Sequence, residues 1–441
     1  MRNRKRNGLL ALSPLLTMVA SFCVLSVFCG GFSKVPILIV FLITSAYALL
    51  TLRGMKLDER ISIFSRGAAD ENMLLMVWIF ILAGGFAHAA KGMGAIDAIV
   101  NVCLQVLPSN LLLPGMFVVA CFVSLSVGTS VGTIVALVPI AMGLAAPTGI
   151  RIELFVGSVV SGAFFGDNLS FISDTTVVAT RSLGCRMSDK FRTNLRVALP
   201  AALLTLAIFT FLGNNSTEAL PASALEASTQ GIDTFLLIIP YLAVLITALL
   251  GLNVVVVLML GIVLTGIVGL STGAYTPLAW FEAICSGIGS MGELVMVSMM
   301  AAGMLSVIRY GGGITWLLRA LTKRVSTPRG ASLGIAALVS ITNLYTANNT
   351  IAILSVGTLA RDISERFSLD NRRTASILDI FSCVVQGMIP YGAQLLIAGG
   401  LADIEPVSLV PYLFYPAILG TVTLIAIILV KPNGKWVRNN I

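Results

Sequence analysis

The sequence predicts an all-α polytopic membrane protein, and three observations carry that prediction. Of the 441 residues, 57% are hydrophobic and only 11% charged, where a soluble domain carries about 25%. Apolar runs recur at lengths near the roughly 20 residues that cross a hydrocarbon core as a helix. The charges lie between these runs. Too little charge remains to cover a soluble globule, and disorder is excluded because a disordered chain is poor in apolar residues. The net charge of +8 does not point to nucleic acid, because the basic residues form no single stripe. One histidine and seven scattered cysteines without a C-x-x-C pair offer no metal site, disulfide framework or nucleophile–base pair. Neither enzyme chemistry nor a cofactor is expected, and the lipid bilayer is the expected partner.

Taken in order, the run 9–29 follows Arg2, Arg4, Lys5 and Arg6. It is longer than a signal-peptide core and ends without an A-x-A site, so it reads as a retained span. Further spans are expected at 35–52, 72–90, 196–213, 233–250, 253–271, 291–309 and 408–430. With the interrupted regions 114–180 and 331–400 this makes about ten full spans plus hairpins. Lys and Arg in short loops set orientation. The loop 181–196 holds Arg181, Arg186, Lys190, Arg192 and Arg196 against Asp189 alone, and 309–329 holds five basic residues and no acid. Opposite them, 214–233, 272–290 and 401–407 carry only acids. This threading puts all basic residues except Lys34, Lys91 and Arg151 inside, with both termini cytoplasmic, in a cell inner membrane.

The chain also aligns with itself at an offset near 220. Residues 9–29 and 35–52 match 233–250 and 253–271. Gly128 to Ile134 matches Tyr345 to Ile351, and Phe165-Gly166-Asp167-Asn168 matches Tyr391-Gly392-Ala393-Gln394. The charge rule gives the two copies opposite orientation, the mark of an inverted-topology repeat with sites at broken helices. The expected division is a first repeat at 1–213, an extracytoplasmic linker at 214–232 and a second, inverted repeat at 233–441. Segments 114–127 and 131–146 read as a re-entrant hairpin too short to cross, with Gly128 to Thr133 at its tip. The second hairpin is 331–344 and 348–361. The elements 151–180 and 374–400 are expected to unwind at Gly166 to Ser173 and at Pro390-Tyr391-Gly392. Unwound backbone at membrane depth must line a cavity or be buried in protein, so four polar breaks are expected to converge.

Four acids fall in apolar segments: Asp167, Asp174, Glu293 and Asp379. Glu293 lies near the outer end of its span, as does His88. No Lys or Arg is expected deep enough to neutralise the others, so they must protonate or hold a cation. Their neighbours are hard oxygen donors suited to Na⁺ or H⁺: Thr129, Ser130, Thr133, Asn168, Ser170, Ser173 and Thr175. The expected cation and proton site is Asp167 and Asp174 together, with Na⁺ between them and Asp379 as a further carboxylate. Two carboxylates in one dry pocket cannot both ionise cheaply, so Na⁺ and a proton displace each other there. Thr346, Asn348, Asn349, Thr350 and Gln394 form the second repeat's contribution.

Gly166-Asp167-Asn168-Leu169-Ser170-Phe171-Ile172-Ser173-Asp174-Thr175-Thr176 closely resembles the G-D-x-x-S-P-x-S-D-T-T signature of the NhaC-type sodium/proton antiporters. Gly128 to Thr133 resembles that family's G-T-S-x-G-T, and Thr346 to Thr350 is similar to its T-G-N-containing tip. Asp379 followed by Pro390-Tyr391 resembles its E-D and P-W pattern. Phe171 stands where the motif has proline, and Tyr391-Gly392 where it has Trp-Asn. The resemblance implies a secondary transporter exchanging Na⁺ for H⁺ by alternating access. The alternative it implies is a cation-coupled carrier of a small organic acid or amino acid, and either reading is compatible with a homodimer. A passive channel and a membrane enzyme fit the broken repeats and the residue inventory less well.

Overall fold

The computed structural model describes residues 8–29, 35–170, 173–216, 232–250, 252–313, 316 and 327–429. Among these the protein is all α. The N-terminal portion comprises α1 (Gly8–Cys29), α2 (Ile37–Thr51), α3 (Leu57–Ala68), α4 (Glu71–Gly92), α5 (Ala95–Val106), α6 (Ser109–Val127), α7 (Ser130–Thr148), α8 (Ile152–Leu169), α9 (Asp174–Leu183) and α10 (Met187–Ser216). The C-terminal portion comprises α11 (Ile232–Leu249), α12 (Val254–Ser271), α13 (Pro277–Ser290), α14 (Gly292–Tyr310), α15 (Pro328–Thr346), α16 (Asn349–Arg366), α17 (Asn371–Gln386), α18 (Ala393–Ala402), α19 (Pro406–Leu409) and α20 (Phe414–Leu429). Eight stretches among the described residues are long and apolar enough to cross a membrane, nine with the bent pair 393–412. Most of the expected linker 214–232 and the basic stretch before Ser326 lie outside the described residues.

Left-handed backbone punctuates the two portions at matching places. Gly128 (φ 74°), Gly149 (φ 68°) and Gly184 (φ 65°) each recur 219 positions later as Ala347 (φ 45°), Ser368 (φ 50°) and Asp403 (φ 54°). The contacts follow the same register. Ser124 donates from Oγ to the Ala163 carbonyl, and its counterpart Asn343 donates from Nδ2 to the Ser382 carbonyl. This register pairs Gly128 with Ala347 and Asp167 with Gln386, correcting the alignments that paired Gly128 with Tyr345 and Asp167 with Ala393.

Three local expectations also change. The arms of the first hairpin, α6 and α7, are 19 residues each and long enough to cross on length. Pro114 sits inside α6 without ending it; it forfeits one hydrogen bond to Asn110 but leaves the other turns intact. The expected outer loop 272–290 is largely the helix α13, started by Pro277 in its first turn and by Thr276, whose Oγ1 accepts from the Ala279 amide. The first break is shorter than expected, because α8 stays helical through Leu169. Gly166 serves close packing there. A Cβ at Gly166 would collide with the α6 backbone at Leu125, and one at Gly162 with the Phe117 carbonyl, so small residues let α6 and α8 approach. Gly84 of α4 and Gly287 of α13 cross in the same way, each occupying the space a Cβ on the other would need.

Candidate ion-binding site

Asp167 lies in the last turn of α8, where the helix is about to end, and is 6% exposed. Its carboxylate accepts from Ser173 Oγ at 2.6 Å on Oδ1 and from Ser130 Oγ at 2.8 Å on Oδ2. Ser130 opens α7 directly after the Gly128-Thr129 turn, so the first hairpin tip and the first break meet at this acid. Ser130 in turn accepts from Gln394 Nε2 at 3.0 Å, and Gln394 Oε1 accepts from Gln386 Nε2 at 2.8 Å. Gln386 Nε2 also donates to the Ala347 carbonyl at 3.0 Å. These residues belong to the second break and the second hairpin tip. All four breaks are therefore joined by one hydrogen-bonded line. From Gln386 through Gln394 and Ser130, each donor points toward Asp167, so the amide and hydroxyl dipoles polarise one another in favour of a negative charge there.

The next residue, Asn168, joins a second cluster. Asp379 Oδ2 accepts from Lys190 Nζ at 2.7 Å, from Asn168 Nδ2 at 2.8 Å and from Asn194 Nδ2 at 2.8 Å. Lys190 is 1% exposed and Asp379 0%. Lys190 Nζ also donates to the Asn168 carbonyl at 2.7 Å and to Thr176 Oγ1 at 2.6 Å, and Thr176 Oγ1 donates to the Ser170 carbonyl. The charges bearing on Asp167 are those of Asp379 and Lys190.

This geometry corrects two expectations. A basic residue does lie deep beside the buried acids: Lys190 belongs to α10, not to a solvated loop. Arg373 is buried as well, its Nη2 reaching the Ala426 and Ile427 carbonyls at the end of α20. Asp174 does not join Asp167. It is exposed at the first position of α9, where a carboxylate complements the positive end of the helix dipole. The buried acid whose charge bears on Asp167 is Asp379.

The remaining expected residues divide between cluster and tip. Ser173 and Thr175 are buried and share a hydrogen bond at 3.0 Å; Ser170 is buried and contributes its carbonyl. Thr129 is half-buried, and its carbonyl accepts from Thr133 Oγ1. In the second hairpin, Thr346 Oγ1 donates to the Asn348 carbonyl, Asn348 caps α16 through Ile351 N, and Asn349 Oδ1 accepts from Thr350 N. These side chains shape the tip, while Gln394 alone of the group reaches the Asp167 line. Lys190, Asn194 and Gln386 were not foreseen. Phe171 lies outside the described residues. At Gly392 a Cβ would sit 3.0 Å from Gln386 Nε2, so Gln386 supplies an amide beside the position where the motif has asparagine.

Two cavities lie at opposite ends of α14 and α18. One, of about 190 Å³, is bounded by Arg66, Asp70, Arg309, Asn348, Tyr391 and Ala393. The other, of about 230 Å³, is bounded by Glu293, Asp403, Glu405 and Gly400 among others.

Many apolar spans around a buried, hydrogen-bonded carboxylate at interrupted helices define a multi-pass membrane protein with a polar centre. The model of the Na⁺/H⁺ antiporter family matches residues 9–214 and again 214–431. The chain belongs to that family. It is 24% identical to the Na⁺/H⁺ antiporter NhaC of Bacillus subtilis over 374 residues, 78% of this chain and 80% of that protein. It is 22% identical to the malate-2H⁺/Na⁺-lactate antiporter of Bacillus subtilis, over 78% of each chain. Among solved structures it is similar to the Alcanivorax borkumensis YdaH transporter, at 14% identity and a TM-score of 0.40, covering 96% of this chain and 97% of that one.

Proposed function

We propose that this protein exchanges Na⁺ for H⁺ across a cytoplasmic membrane by alternating access, with Asp167 as the carboxylate that holds either ion. The observation that carries this reading is the line of donors joining all four breaks to Asp167. With Asp167 ionised, Ser130 and Ser173 both donate to it. A proton on Oδ2 turns that oxygen into a donor facing another donor, so the Ser130 hydroxyl must rotate, and its oxygen then accepts from both Asp167 and Gln394. The ion state of Asp167 is thereby felt at Ser130, the residue through which the line reaches the second hairpin tip. Asp379 is already compensated by Lys190, which leaves Asp167 the acid free to exchange. Membership of a cation antiporter family, with its model matching twice along the chain, supports the inverted-repeat arrangement this mechanism uses. By the charge rule the Arg66–Arg309 cavity faces inside and the acidic one outside; α14 and α18 separate them.

The experiment is a Na⁺ pulse applied to proteoliposomes loaded with a pH dye. The wild type should move protons, and Asp167→Asn, which keeps the side chain's shape, should fall to the rate of protein-free vesicles. Proton movement at the wild-type rate in Asp167→Asn would overturn the assignment.

A second reading is favoured by one observation. Arg66 and Arg309 border the cavity that reaches the second hairpin tip, and guanidinium groups suit carboxylates. On this reading a small organic acid is exchanged as well, as the name of the malate and lactate relative describes for that protein. Outward gradients of malate or lactate driving Na⁺ movement in the same vesicles would establish it.

A further inference from the structure

The Lys190 ammonium is held entirely by oxygen acceptors among the described residues. Three oxygens surround Nζ at 2.6–2.7 Å: Asp379 Oδ2, the Asn168 carbonyl and Thr176 Oγ1. A carboxylate, a carbonyl and a hydroxyl are the hard oxygen donors that a small metal cation takes. The Asn168 carbonyl is available because α8 ends at Leu169; helix ends leave their last carbonyls without intrahelical partners. Two further buried acceptors of the cluster, Asp379 Oδ1 and Asn194 Oδ1, have no hydrogen-bond partner among the described residues. A cluster so rich in acceptors calls for a positive charge, and the chain supplies one on a tether.

We propose that Lys190 is a built-in cation occupying a second ion site at Asp379, and that removing its ammonium opens this site to Na⁺. The inference rests on the preceding reading only in reserving exchange for Asp167. In the native protein the tethered ammonium never leaves, so two buried carboxylates yield one exchangeable cation. The same ammonium ties α10 to both sides of the first break, through Asn168 before it and Thr176 after it.

Lys190→Ala removes the tenant and leaves its space. The purified variant should be less stable than wild type in choline chloride and regain thermal stability as Na⁺ replaces choline at constant ionic strength. Ligands that bind only the folded state act in this way. Methylammonium, a free copy of the missing group, should restore it too. Equilibrium dialysis should count two Na⁺ per protein in place of one. Lys190→Arg, which keeps the charge, should bind one. Lys190→Ala combined with Asp379→Asn should lose the Na⁺ stabilisation gained over the wild type, because the carboxylate is gone. Na⁺ stabilisation of Lys190→Ala no greater than that of the wild type, or no more bound Na⁺ than the wild type binds, would overturn the proposal. So would failure of Lys190→Ala to fold at high Na⁺ while Lys190→Arg folds. Adding Asp167→Asn separates the two readings: Lys190→Ala with Asp167→Asn should still be stabilised by Na⁺ through Asp379, whatever Asp167 does in transport.

Discussion

Asp167 accepts hydroxyl hydrogen bonds on both oxygens, and the two donors are not equivalent. Ser173 is local to the break, six residues along the chain, whereas Ser130 carries the connection to Gln394 and the second tip. A hydrogen bond to a charged group contributes about 1.5–3 kcal/mol. Ser130→Ala therefore removes about 1.5 kcal/mol from the ionised form that holds Na⁺, and apparent Na⁺ affinity should fall roughly tenfold. Na⁺-titrated proton flux in vesicles measures this. Gln394→Ala should leave Ser130 in place and weaken affinity less, while slowing maximal exchange. On the proposed function proton and Na⁺ compete for one carboxylate, so ion binding releases a proton and affinity depends on pH. The sign follows directly. Lowering pH fills Asp167 with protons and raises the Na⁺ concentration needed for half-maximal exchange, by up to about tenfold per unit where the proton form dominates. A half-saturating Na⁺ concentration that stays constant as pH falls would separate the two ions onto different groups.

At the scale of elements, the two hairpin tips offer a matched pair of substitutions. Both turns need a left-handed residue before the second helix, which Gly128 adopts freely and Ala347 adopts under strain. Left-handed backbone costs a residue with a Cβ about 1–2 kcal/mol. Gly128→Ala should lower, and Ala347→Gly should raise, the thermal midpoint of the purified protein by amounts reflecting that cost. Equal effects of one sign would show that the tips do not share a conformation. The breaks themselves were legible in sequence, because Gly128, Pro390 and Gly392 leave few helical options. Lengths were not. Pro114 marked an arm's start on paper yet lies inside α6, since one lost hydrogen bond does not undo a well-packed helix. Asp174 was drawn toward Asp167 because both flank one motif, but helix α9 begins at Asp174 and takes its carboxylate for its own terminus. Lys190 was lost to charge counting, which treats every Lys in a basic segment as solvated. A helical reading would have placed it correctly. Lys190, Thr193, Asn194, Val197, Ala198 and Ala201 are all buried and recur at the three- and four-residue spacing of one helix face.

For the whole molecule, orientation follows from the charge rule and is open to direct measurement. Ser188 and Ala274 are both exposed. In a background with the seven cysteines replaced, Ser188→Cys should react with an impermeant thiol reagent only from inside, and Ala274→Cys only from outside. Labelling of both from one face would overturn the threading and with it the inverted repeat. The two portions of the chain are also bound to each other by more than packed helices. Lys190 lies in the first and its carboxylate, Asp379, in the second. Synthesis delivers the lysine first, long before the aspartate exists. Until then α10 carries a charge that is expensive to bury alone, at several kcal/mol for an unpaired ion in a protein interior. The burial of α10 against the first break is therefore fully compensated only when the second portion of the chain delivers Asp379.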